Sequence, residues 1–270
     1  MVVFDYELCS SCSICTAVCP AGIINDKEGI PSIKAGLEVH CIRCGHCEAH
    51  CPVQAVSVEY PEARPFTGAV SASPVTAQQI SGHLAGRRSV RRYKDTPVEK
   101  KVIEELLEVA RFSPTGSNAQ PVAWTIILDR QKMREMAQTV VEWMKGLIAA
   151  YPDRPDSQYF SLFVNEWDKG RDRIFRGAPH LAVVHGPSDG RLGNTNGVIA
   201  ATYLEVAAPA FGIGTCWAGL FLIASQFSPE LRAKLELPED HSAQGALMFG
   251  YPEYQPSRIP KRNAGRVRWM

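Results

Sequence analysis

Nothing in this 270-residue chain approaches the roughly 18–20 consecutive apolar residues needed to cross a bilayer. The best candidate, residues 198–213, is interrupted by Glu205 and Pro209. The opening Met-Val-Val-Phe-Asp has no basic patch, apolar core or small-residue cleavage site, so the expected location is the cytoplasm and no membrane partner is expected. Charge of one sign is lacking too. Lys and Arg total 29 against 28 Asp and Glu, a net +1 that argues against a nucleic-acid partner. No G-x-G-x-x-G follows a strand-like run; residues 212–217 lack the third glycine and come after a helix, which disfavours a Rossmann nucleotide site. Walker and H-E-x-x-H patterns are missing, and the seven histidines show no ligand spacing. His40, His46 and His50 read as loop or surface residues.

What is present is cysteine in a spaced pattern used twice. Cys9, Cys12, Cys15 and Cys19 precede Pro20, and Cys41, Cys44, Cys47 and Cys51 precede Pro52. Each run is C-x2-C-x2-C-x3-C-P, the bacterial ferredoxin spacing for 4Fe–4S clusters. A loop with a Cys at every third position aims three thiolates at one centre, and the fourth comes from elsewhere. In two-cluster ferredoxins the fourth Cys of each run serves the other cluster. By that rule Cys9, Cys12, Cys15 and Cys51 hold one cluster, and Cys41, Cys44, Cys47 and Cys19 the other. Zinc sites use pairs of C-x2-C without the third Cys and the Cys-Pro, and a disulfide framework suits a secreted chain.

A shift of 32 residues also lays Ala17 on Ala49, Pro20 on Pro52 and Ile24 on Val56, an internal duplication. Each half is expected to supply a short strand, a cluster loop and a short helix starting near the third Cys. The strand candidates are 2–5, 23–25 and 56–59. Sixty residues give a small apolar core, so the clusters are expected to staple the domain.

Residues 1–60 hold seven acids against Lys27, Lys34 and Arg43, a balance of −4, so the remainder carries +5. An acidic first domain and a second domain suited to an anionic cofactor follow. Residues 61–77, dense in Pro, Ser, Gly and Ala without apolar period, read as a linker between domains at 1–60 and 78–270.

In the second domain Thr96-Pro97-Val98-Glu99 has the residues of a helix start, with Thr96 as N-cap and an apolar face running to Phe112. Residues 122–128 read as a strand, and Asp129 as the cap of a helix to about residue 150. A strand is expected at 181–185, a helix at 194–211 stopped by Gly212, and a strand at 216–220. A helix after Ser228 through Leu235 and a strand at 244–249 complete the pattern. Periodicity gives a layered α/β or α+β domain and goes no further.

Arg87-Arg88-Ser89-Val90-Arg91-Arg92-Tyr93 puts four guanidiniums and a hydroxyl within seven residues, a set that matches a phosphate monoester as readily as a solvated basic face. The remaining motifs decide. They are Ser113-Pro114-Thr115-Gly116-Ser117-Asn118 with Gln120-Pro121, Ala178-Pro179 before a strand, Gly212-x-Gly214-Thr215-Cys216-Trp217-x-Gly219, Gly250-Tyr251-Pro252, and Lys261-Arg262. Together they resemble the FMN-dependent nitroreductase family over about residues 80–270, so that the whole chain resembles a ferredoxin–nitroreductase fusion. The resemblance implies an α+β chain, with a small bacterial-ferredoxin-like domain followed by a three-layer FMN-binding domain.

It further implies that Arg87, Arg88, Ser89 and Arg91 face the FMN phosphate and the N1/O2 edge. Pro114, Thr115, Gly116, Ser117 and Asn118, with Gln120, would reach the flavin from the partner in a homodimer. Gly214, Thr215, Cys216 and Trp217 would lie along the ring, and Lys261 and Arg262 would close on the phosphate. For Cys216 a buried core role weighs equally. The aromatics Trp143, Tyr151, Tyr159, Phe160, Phe163, Trp167 and Phe175 fit either a cap over the flavin or, with more weight, the packing of two amphipathic helices. No catalytic side chain is assigned. The function implied is an oxidoreductase passing electrons from two 4Fe–4S clusters through FMN to a small acceptor such as a nitroaromatic or quinone. A redox protein or NAD(P)H would be the donor, and a non-catalytic relay between redox proteins is the alternative.

Overall fold

The computed structural model describes residues 1–60, 62, 64, 66, 75–189 and 192–270, so most of the expected linker at 61–77 lies outside the described residues. The chain forms two units: Met1–Ser73 with Thr115–Gln120, and Pro74–Pro114 with Pro121–Met270.

In the first unit, β1 (Val2–Phe4) pairs antiparallel with β4 (Val56–Val58), Val2 opposite Val58. A second pair joins β2 (Ile24–Lys27) to β3 (Ile30–Ile33). The β3 strand was not expected. Glu28 (φ 56°) and Gly29 (φ 82°) make the two-residue turn that a tight hairpin needs. Two single-turn helices, α1 (Ile14–Ala17) and α2 (His46–Ala49), start just before Cys15 and Cys47, as the duplication requires. The core consists of Cys15, Ile23, Ile24, Cys47, Val56 and Val58. At roughly 1.5–3 kcal/mol per buried aliphatic side chain this is little stabilisation for sixty residues, and covalent staples matter correspondingly more.

The second unit is α+β. Its sheet has order β5-β6-β8-β7 and is antiparallel throughout. The strands are β5 (Ala123–Ile127), β6 (His180–Pro187), β7 (Gly214–Trp217) and β8 (His241–Gly250). Alternation along β6 and β8 fills both faces. Leu181, Val183, Ala246 and Met248 join one core with α5 (Arg130–Ala150), α6 (Pro155–Asp168), α8 (Gly219–Phe227) and α9 (Pro229–Leu235). Ala182, Val184, Leu247 and Phe249 join the other with α4 (Lys100–Ala110) and α7 (Gly193–Ala207). A helix α3 (Ala77–Gly86), closed by a capping box between Thr76 and Gln79, precedes the arginine run.

Two local expectations are corrected. The helix expected from Thr96 begins at Lys100 with Glu99 as N-cap, because the Val98 N–H donates to His180 Nε2 at 2.9 Å and holds the preceding residues extended. The strand expected at 216–220 is instead Gly214–Trp217, and α8 starts at Gly219. Asp129 does cap α5, accepting the Lys132 N–H at 2.7 Å, and Ser228 caps α9. Phe160 and Phe175 are core, Trp143, Phe163 and Trp167 pack against it, and Tyr151 and Tyr159 are exposed. The 143–175 aromatics therefore serve mainly as helix packing.

Candidate functional site

The first unit holds all eight spaced cysteines. Cys19, Cys41, Cys44 and Cys47 line one cavity with Ile23, Ile24 and Val58, so the last Cys of the first run joins the first three of the second. On the other loop Cys15 is buried, Cys9 and Cys51 half-buried and Cys12 exposed, and the Ala55 N–H donates to Cys51 Sγ at 3.1 Å. Ser13 (φ 58°) and Gly45 (φ 73°) take left-handed backbone one position before each helix, turning the loops around their cysteines. Burial pushes the Cys15 and Cys47 thiols above the ordinary range, a cost that ligation to cationic iron reverses. Among the described residues no three His, Cys, Asp or Glu side chains converge on a single metal ion. Thiolates on one zinc stand about 3.8 Å apart, given Zn–S bonds of ~2.3 Å, whereas a cubane spreads its ligands to four corners. Four thiols in a largely apolar cavity, with His46 also in its lining, fit a 4Fe–4S cluster.

Segment Thr115–Gln120 belongs to this unit. Asn118 Nδ2 donates to the Arg43 carbonyl at 2.7 Å and the Ile42 carbonyl at 3.2 Å, while the Tyr60 hydroxyl donates to the same Arg43 carbonyl at 2.7 Å. Ser117, Asn118 and Gln120 all have φ near 50°, and the Gln120 N–H donates to Thr115 Oγ1 at 3.0 Å. Thr115 and Gly116 are half-buried, and Pro114 is exposed in the second unit.

In the second unit the arginine run and β7 lie side by side. The Val90 N–H donates to the Thr215 carbonyl at 2.9 Å, adding a bond to the outer edge of β7. Gly214 is required there, since a Cβ would stand 2.8 Å from Val90 Cβ. Glu205 of α7 ties the two segments together. Its Oε1 accepts from Arg87 Nη1 at 3.0 Å and its Oε2 accepts the Trp217 indole N–H at 3.1 Å. Sequence reasoning had treated Glu205 only as a break in an apolar run. A lone acid on the apolar face of a helix, in a chain with an arginine cluster elsewhere, was the signal. Arg88 reaches back to the Ala85 and Gly86 carbonyls at the end of α3. Among the described residues no carboxylate pairs with Arg88 or Arg91 and no hydrogen bond engages the Ser89 hydroxyl, a donor set that fits a phosphate monoester and an electron-rich ring edge. The Tyr93 hydroxyl donates to the Val90 carbonyl at 2.7 Å, and burial raises its pKa far above the phenol range. Cys216 is buried in the core beside it. Lys261 and Arg262 are exposed, in a stretch without helix or strand.

Residues 84–251 of the chain match the nitroreductase family, and residues 8–56 match a 4Fe-4S dicluster domain. The chain belongs to the nitroreductase family. It is similar to an FMN reductase (NAD(P)H) of Bacillus subtilis, 23% identical, with 68% of this chain and 70% of the relative covered. A chloronitrobenzene nitroreductase of Comamonas testosteroni is 25% identical over 66% of this chain and 88% of its own. In fold the chain is similar to a Bacteroides fragilis nitroreductase solved with FMN. That match has a TM-score of 0.58 and 21% identity and covers 71% of this chain and 98% of that one. The family thus spans the second unit's sheet and both motif segments around Glu205, and the dicluster domain spans both cysteine runs.

Proposed function

We propose that this chain reduces a small electron-poor acceptor, such as a nitroaromatic or a quinone, at FMN, and that its own two 4Fe–4S clusters supply the electrons. As a nitroreductase-family member with a dicluster domain, it is an FMN-dependent oxidoreductase whose cofactors are FMN and two 4Fe–4S clusters. The observation that carries the reading is the pairing in one chain of a four-thiol cavity at Cys19, Cys41, Cys44 and Cys47 with an Arg88, Ser89 and Arg91 set that no described carboxylate neutralises, on the segment that bonds β7. FMN, when held there, would supply the one-electron to two-electron conversion needed between clusters and a two-electron acceptor.

The side chains do the positioning. Glu205 fixes Arg87 and Trp217 so that both segments keep one geometry. Arg88 and Ser89 would offer donors to the FMN phosphate, and Arg91 would supply a cation that favours the anionic reduced form. Lys261, Arg262 and the 114–120 loop complete the pocket in a homodimer, and NAD(P)H or a redox protein is the donor.

The test is anaerobic reduction of the purified protein by a viologen and by NAD(P)H, with cluster and flavin absorbance followed separately and acceptor consumption measured alongside. The expected result is cluster bleaching followed by flavin bleaching and then reoxidation on adding a nitroaromatic. Clusters that reduce while the flavin stays oxidised would sink the proposal.

A further inference from the structure

The second unit has a basic cleft in which only Arg91 carries a proposed cofactor role. It encloses about 400 Å³ and is lined by Arg91, Arg92, Arg171, Arg173 and Arg176 with Asp172. Its acids are already engaged. Asp172 accepts the backbone N–H groups of Ile174, Phe175 and Gly177 at 2.8, 2.9 and 3.2 Å. Glu166 takes Arg171 in a two-point pair at 2.7 and 2.8 Å and Arg173 at 3.2 Å. Among the described residues no ion pair involves Arg91, Arg92 or Arg176. Three guanidiniums from two separate chain segments thus line one concavity, and its one lining carboxylate, Asp172, is spent on backbone N–H groups and pairs with none of them.

A second cleft shares Gly170, Asp172 and Gly177 with the first, and there the lining turns partly apolar with Trp167 and Met133. An indole beside a guanidinium cluster suits a flat ring carrying an oxyanion: the ring lies on Trp167, and the head takes forked hydrogen bonds from Arg92 and Arg176.

We infer that this cleft binds the acceptor, and that the acceptor is an aromatic carboxylate. The inference rests on the proposed function, because Arg91, the cleft's remaining unpaired cation, is the residue set there against the flavin edge.

The experiment uses the full-length protein prepared anaerobically. Reduction of 4-nitrobenzoate is compared with that of the neutral 4-nitrobenzyl alcohol, in the wild type and in Arg176→Gln and Arg92→Gln, which lie on different segments. Flavin content per chain is measured for each, and binding of the redox-inert terephthalate dianion by equilibrium dialysis. The expected result is a KM for 4-nitrobenzoate about ten-fold below that of the alcohol, worth the ~1.4 kcal/mol of one charged contact. Each variant should remove that preference with kcat, the alcohol's KM and flavin content unchanged, and should weaken terephthalate binding about ten-fold. Equal KM changes for both substrates, or wild-type protein that binds no terephthalate, would overturn the inference. So would loss of flavin in both variants, which would assign the cleft to the cofactor. Terephthalate binding without turnover of any acceptor would uphold the anion cleft while the proposed oxidoreductase reading failed.

Discussion

Arg87 Nη1 lies 3.0 Å from Glu205 Oε1, joining the start of the arginine run to a helix more than a hundred residues further along the chain. The carboxylate is almost wholly buried and the guanidinium mostly so, and the second carboxylate oxygen is occupied by Trp217. Removing one partner of a buried pair leaves the other charge uncompensated, at about 3–5 kcal/mol. Arg87 keeps some solvent contact, so the lower end of that range applies. Glu205→Ala should lower unfolding stability by ~3 kcal/mol and release FMN. Glu205→Gln, which retains an acceptor for the indole, should lose less. Urea unfolding followed by tryptophan fluorescence measures this cleanly, because all five tryptophans lie beyond residue 120. Equal midpoints for wild type and Glu205→Ala would remove the pair from the argument.

The cavity shared by Cys19, Cys41, Cys44 and Cys47 predicts which substitutions act alike. Cys19→Ser should abolish the same cluster as Cys44→Ser, although Cys19 stands in the other run, and Cys51→Ser should abolish the cluster served by Cys12. Each variant should lose about four irons and four sulfides and keep the other cluster's EPR signal. If Cys19→Ser and Cys12→Ser erase the same signal, each run binds its own cluster and the crossed assignment fails.

How much of this was legible depended on whether a cause was local. Asp129 and Ser228 were readable as caps because side chain, backbone N–H and following helix lie within four residues. Thr96 carried the same signature and failed, because His180, far away in sequence, takes the Val98 N–H. The β3 strand was not among the expected ones, and Pro31 within it is tolerated because the strand has only one neighbour, where a missing N–H costs little. The cysteine runs and arginine motif were visible as spacing. What binds the motif together, Glu205 to Arg87 and Trp217, and Gly214 to Val90, was not, since those partners meet only after the sheet has formed.

Gly214 supplies a paired test of that contact. Gly214→Ala places a methyl against Val90, in a site where the Val90 N–H also bonds Thr215. Overpacking of this kind costs roughly 1–3 kcal/mol. The variant should lose stability and bind FMN more weakly, and Val90→Ala in the same chain should restore most of both. Rescue is the decisive readout. A double variant no better than Gly214→Ala would show that the glycine serves the ligand or the backbone and not the Val90 contact.

Acid stability should depend on His180. The ring is buried, and its Nε2 accepts the Val98 N–H at 2.9 Å, so the folded protein holds the imidazole neutral with the proton on Nδ1. Burial lowers its pKa below the ordinary 6.5, against a smaller opposing effect of the Leu128 backbone. A depressed histidine pKa means that below about pH 6.5 the unfolded chain binds a proton that the folded chain refuses. Stability is therefore fully present above that value and is lost as pH falls toward the folded pKa, at up to ~1.4 kcal/mol per pH unit for one group. His185, lowered by burial and by the neighbouring His241, adds in the same direction. His180→Gln keeps an acceptor for Val98 but cannot take a proton. It should flatten the fall in urea midpoint between pH 7.5 and pH 5.5 without abolishing it, the remainder belonging to His185. An unchanged slope in His180→Gln would mean that the ring already carries its proton in the fold, and the hydrogen bond from Val98 would have to be reassigned.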